Sequence, residues 1–159
     1  MKRLIIIPSI LAVLGMLGAV PVAFAAHSTP FNGTFSGSFT LTSQTSATIT
    51  GTGHLEHLGK TSFAAAAADT GPAECQGGFV ANEQESYTAA NGDKVFSSSN
   101  DVGCPTSPNT FHITGSWIIT GGTGRFEHAS GTGSINVDGV QTSSTSGTFS
   151  LTVTGTITY

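Results

Sequence analysis

Phe149-Ser150-Leu151-Thr152-Val153-Thr154-Gly155-Thr156-Ile157-Thr158-Tyr159 alternates without a break. Phe149, Leu151, Val153, Gly155, Ile157 and Tyr159 fall on one face, and only serine and threonine fall on the other. Period two with β-branched residues on the polar side is the pattern of a strand with one face buried. The same alternation runs through residues 33–41, where Phe35, Phe39 and Leu41 oppose Thr34, Ser36, Ser38 and Thr40. It returns at 47–55, at 111–119 with Trp117 on the apolar face, and at 133–139. Weaker strands are expected at 61–67, 79–88 and 94–98. Asn91-Gly92 marks a hairpin turn between the last two. Residues 70–72 and 100–109, with Pro72, Pro105 and Pro108, read as loops.

About eight strands and no amphipathic helix predict a single antiparallel β-barrel, all-β in class. Such a barrel is filled by side chains or encloses one small ligand. Glycines recurring on the apolar faces fit sharp strand bending. The segment from Gly121 to Gly133 is the expected corner. There Phe126 and Ala129 are spaced to stack a single helical turn against the core, with Arg125 at its apex.

The chain opens with Lys2 and Arg3, an apolar run over 4–22, and Ala23-Phe24-Ala25. This is the layout of a secretory signal peptide over residues 1–25, cleaved to leave a flexible segment over 26–32 and a barrel domain over 33–159. The mature chain would keep Lys60, Lys94 and Arg125 against nine acidic residues, a formal charge of −6. That balance disfavours nucleic acid and anionic membrane as partners. Export also places Cys75 and Cys104 in an oxidising compartment, so one disulfide is expected. Closing a loop of about 30 residues contributes on the order of 3–4 kcal/mol in the chain-entropy treatment.

Three motifs resemble secreted bacterial proteins with the allene oxide cyclase/dirigent type of barrel. They are Gly51-Thr-Gly53-His-Leu-Glu-His-Leu-Gly59-Lys60, Gly92-Asp93-Lys94-Val95-Phe96, and Gly121-Gly-Thr-Gly-Arg-Phe126 followed by Ala129-Ser-Gly131. The last is the most specific. The resemblance implies an eight-stranded antiparallel barrel with a central cavity. The plant members of this type bind small hydrophobic molecules and guide cyclisation or radical coupling. Their catalytic residues do not map one by one onto this chain, so activity does not transfer with the fold.

The candidate chemistry is sparse. Glu83 and Glu85 share a face with Phe79, Ala81 and Tyr87. Turned inward, two carboxyls within about 7 Å would raise at least one pKa and give the cavity a general acid or base. The favoured alternative turns Val80 inward and leaves both carboxylates in water, because unpaired charges rarely go inside. His54 and His57 cannot chelate one ion from opposite faces of a regular strand. His57 shares the face of Leu55 and could point into the barrel; a structural histidine is the favoured reading. Arg125 is either a clamp for an anion at the barrel mouth or, as favoured, a pin for the turn through backbone carbonyls or Asp93. Phe35, Phe39, His57, Tyr87, Trp117 and Arg125 are the candidate ligand contacts.

No zinc spacing, phosphate loop, dinucleotide fingerprint or nucleophile elbow occurs, and no cofactor is expected. The reading is therefore a secreted barrel that binds a small apolar ligand or serves as an extracytoplasmic interaction domain, with oligomerisation open. A cyclase- or isomerase-like enzyme using a carboxylate inside the cavity is the first alternative. A structural envelope protein packed solid is the second.

Overall fold

The computed structural model describes residues 27–159; the signal-peptide segment expected over 1–25 lies outside them. Nine strands follow in order: β1 (Ser28–Pro30), β2 (Gly33–Leu41), β3 (Ser46–Leu55), β4 (Gly59–Pro72), β5 (Phe79–Ala89), β6 (Lys94–Ser107), β7 (Thr110–Gly122), β8 (Ser130–Gln141) and β9 (Ser146–Thr158). Strands β2 to β9 pair antiparallel with their neighbours in sequence, and β9 pairs with both β8 and β2. That second pairing closes an eight-stranded up-and-down barrel and leaves no long unpaired edge.

Side chains sort by period two around the barrel. In β2 and β9 the threonines and serines face solvent, while Phe35, Phe149, Leu151 and Val153 are buried. Membrane-spanning barrels show the reverse, with an apolar exterior. Closure therefore buries the alternating apolar set against itself, which is the main stabilising term.

The segment expected to be flexible, 26–32, contains β1, which pairs with Thr156 to Thr158 of β9. Its anchor is Phe31, 1% exposed, with ring centroids 5.5 Å from Trp117 and 6.0 Å from Tyr87. Burying one aromatic ring outweighs the entropy of ordering three residues beside an existing strand end. The two expected loops also shorten. Residues 70–72 belong to β4, and β6 runs on to Ser107, so Cys104 and Pro105 are strand residues. The Cys75–Cys104 disulfide joins the β4–β5 loop to β6, with the Cα atoms 6.0 Å apart.

The two ends of the barrel differ. One end carries the β3–β4 and β5–β6 turns and the β7–β8 corner. Phe31, Leu55, Leu58, Phe126, Ala129 and Ile157 pack it solid. In the corner Gly124 takes φ +58 ahead of a single 3-10 turn, Gly124–Phe126, and Phe126 and Ala129 are buried as their spacing predicts. Further inside, the Trp117 indole lies where side chains at Gly133 and Gly155 would otherwise stand, and its Nε1 donates to the Ser134 carbonyl at 3.2 Å. The opposite end, bearing the β2–β3, β4–β5, β6–β7 and β8–β9 connections, is hollow.

Candidate functional site

A cavity of about 310 Å³ occupies the hollow half. Phe39, Ile49, Phe63, Phe111, Ile135, Val137, Phe149 and Leu151 supply its walls. Gln44, Thr45, Asp69 and Gln141 stand where it meets solvent, and Glu83 and Glu85 stand where it meets the packed half.

Both carboxyls face inward, so the favoured sequence reading of this strand is corrected. Tyr87 and Ala89 are buried at one end of β5, and Ala81 near the other is buried too. A strand cannot bury these without turning Glu83 and Glu85 the same way, since a one-residue slip would flip every side chain. Val80, Asn82 and Gln84 consequently lie on the outer face. Glu83 is 8% exposed and Glu85 4%.

The hairpin partner brings three further polar groups. Glu85 pairs across with Ser97, Glu83 with Ser99, and Ala81 with Asp101. Glu85 Oε2 accepts hydrogen bonds from the Tyr87 hydroxyl at 3.1 Å and from the Ser97 hydroxyl. Asp101, 1% exposed, accepts from the Ser99 hydroxyl at 2.8 Å through Oδ2, while Oδ1 has no partner. No lysine, arginine or histidine among the described residues lines the cavity.

Three buried acids without a cation bind their protons more tightly than free carboxyls do. Burial, then the neighbouring Asp101 and Glu85 carboxyls, push Glu83 up to about 8. Burial raises Glu85 as well, against the lowering effect of its hydroxyl donors. Asp101 rises to about 6, by burial and by Glu85, opposed by the Ser99 hydrogen bond. Burial and the adjacent Glu85 raise Tyr87 well above its ordinary value. At neutral pH Glu83 is thus mostly a neutral carboxylic acid, able to donate one proton and to accept through its carbonyl oxygen.

The other candidates divide between the two halves. Phe39 lines the cavity. Phe35 and Tyr87 belong to the packed layer beside it, with Phe63 at ring centroid distances of 5.7 and 5.2 Å respectively. Trp117 is in the closed half. His57 is corrected: it sits exposed in the β3–β4 turn at φ +66, outside the lumen, 6.0 Å from the Tyr159 ring. Arg125 is not at the mouth either. It caps the closed end, donating to the His57 carbonyl and lying over Phe126 at 4.7 Å and Tyr159 at 5.8 Å.

Fold and site together define a closed antiparallel barrel with one open end, an apolar lumen and an acidic inner wall. Comparison with protein-family models, with curated proteins and with solved structures gives no match to this chain.

Proposed function

We propose that this protein is an extracytoplasmic barrel that binds a small, largely apolar molecule in its lumen. The cavity carries the reading: about 310 Å³, walled by aromatic and aliphatic side chains with a few polar groups at one place, is the usual composition of a small-molecule site. The Cys75–Cys104 pair supports an oxidising compartment, and the barrel with its glycine-rich corner agrees with the likeness to allene oxide cyclase/dirigent-type proteins. A structural protein with a solid barrel fits this hollow half poorly. The test is uptake of a hydrophobic fluorescent probe by the protein and by Ala67→Trp, which places an indole at the cavity wall. Uptake by the parent and loss in the variant are expected. Failure of the parent to take up any lipophilic probe would refute the reading.

One observation favours the enzymatic alternative. Glu83 is a cavity-lining acid with its pKa near 8, suited to exchange a proton with a bound guest near neutral pH. In that case the reaction is a proton-transfer isomerisation or cyclisation. Glu83→Gln would abolish turnover while leaving binding of the substrate in place.

A further inference from the structure

Glu83 is more than nine-tenths buried, lines the cavity, and accepts no hydrogen bond from any described residue. Asp101 Oδ1, one cross-strand position away, is equally without a donor. A buried acceptor left in this condition costs stability, and of the two only Glu83 faces the lumen, where a guest can meet it; Asp101 Oδ1 lies against Gly115. The wall opposite offers only hydrocarbon, from Phe149 and Leu151 among others. On the adjoining strand, β4, the residues paired with Glu83 and Glu85 are Ala67 and Ala65.

The charge around the two ends is also uneven. Lys60, Lys94 and Arg125, the three cations of the described chain, all sit at the closed end, on or beside the β3–β4 and β5–β6 turns and the β7–β8 corner. At the open end Asp69 stands on the rim and Glu74 lies in the adjoining loop, both exposed. His112, on the outer face there, is bonded to Asp138 at 2.8 Å. A cation approaching the mouth is attracted and an anion repelled.

We propose that the lumen's ligand is a lipophilic amine, its apolar body between Phe39, Phe111 and Phe149 and its ammonium group against the Glu83 carboxylate, with Glu85 and Asp101 behind. The proposal rests on the reading of the lumen as a binding site and specifies what it selects. An ammonium supplies the donors that Glu83 lacks, and its charge offsets the repulsion from the Glu85 and Asp101 carboxyls behind it. Aromatic walls add cation–π attraction for the same head group. The groups facing Glu83 are Glu85 and Tyr87 from its own strand and Asp101 from β6; β4 contributes Asp69, exposed on the rim of the same cavity, and β9 contributes none that titrates. Seating the ammonium therefore requires Glu83 to give up its proton, and amine affinity must rise with pH until Glu83 is ionised in the free protein.

The experiment is calorimetric titration of the disulfide-bonded protein with phenylbutylamine, phenylbutanol and phenylbutyrate, which share one apolar body. The amine is expected to bind about tenfold more tightly than the alcohol, and the carboxylate most weakly. Glu83→Gln should bring the amine down to the level of the alcohol. In the unaltered protein, amine affinity should climb between about pH 6 and about pH 8, where the amine itself stays charged, while alcohol affinity stays flat. An alcohol that binds as well as the amine, or an amine indifferent to pH and to Glu83→Gln, would overturn the cation proposal and leave the binding barrel standing. Failure of all three compounds to bind would overturn both.

Discussion

The Asp101 carboxylate of β6 occupies the space that a β-carbon at Gly115 of β7 would need, so an acid can be buried here only because its cross-strand partner has no side chain. Gly115→Ala should displace Asp101 from its place beside Ser99, or force the two strands apart. Overpacking of this kind costs about 1–3 kcal/mol. Urea denaturation would register that loss as a lower midpoint at unchanged slope. An unchanged midpoint would mean the carboxylate is free to move.

Stability should fall as pH rises, the reverse of the usual behaviour of carboxylates. The unfolded chain releases the Glu83 proton near 4.5 and the folded one near 8. The folded state therefore binds the extra proton between these values. Its contribution is fully present below about 4.5 and is lost as pH climbs through about 8. Asp101 acts in the same direction between 3.8 and about 6. The loss amounts to a few kcal/mol, or roughly 10 °C in Tm between about pH 5 and about pH 8. Glu83→Gln should flatten most of that slope. A Tm that stays level or rises over this range in the unaltered protein would contradict the burial of these acids.

Reduction should weaken the fold without dissolving the barrel. The Cys75–Cys104 bridge spans 29 positions and fastens the β4–β5 loop to a strand already paired on both sides. Its removal is expected to cost about 3 kcal/mol. Thermal melts with and without a reductant compare the two states, and coincident curves would contradict the expectation.

Arg125→Ala should affect stability alone. The side chain holds the β7–β8 corner to the β3–β4 turn through the His57 carbonyl and covers Phe126 and Tyr159, at the end away from the cavity. A loss of about 1–2 kcal/mol is expected from the hydrogen bond and the stacking together. Probe uptake should be unchanged, and a large fall in uptake in a folded variant would place Arg125 in the site after all.

The barrel was legible because its apolar faces are written in phenylalanine, isoleucine, leucine and valine at every second position. Phe35 and Phe39 in β2 and Phe149, Leu151 and Val153 in β9 all turn inward as that pattern requires. The acid cluster was hidden for the opposite reason. The inward face of β6 reads Val95, Ser97, Ser99, Asp101, which has no apolar alternation to mark a strand. One signal did bear on it. The Asn91-Gly92 turn fixes the hairpin register, and counting back from Thr88↔Lys94 sets Ser97, Ser99 and Asp101 opposite Glu85, Glu83 and Ala81. Inward orientation of Glu83 and Glu85 was held back by the rule that charges avoid interiors. It gives way here because burial raises both carboxyls, and Glu83, at about 8, is mostly uncharged near neutral pH. Phe31 gave no periodic signal, since a lone aromatic before a strand shows its burial only once Trp117 and Tyr87 have come together.

The account stands on a lumen that admits a guest from one end only. Methyl-resolved NMR during titration with a lipophilic amine reads that location directly. Ile49, Ile113, Ile135, Val137 and Leu151 should shift together, while Leu55, Val95 and Ile157 in the packed half stay in place. Shifts confined to the exposed Ile118 and Val140, or no shifts at saturating guest, would contradict it.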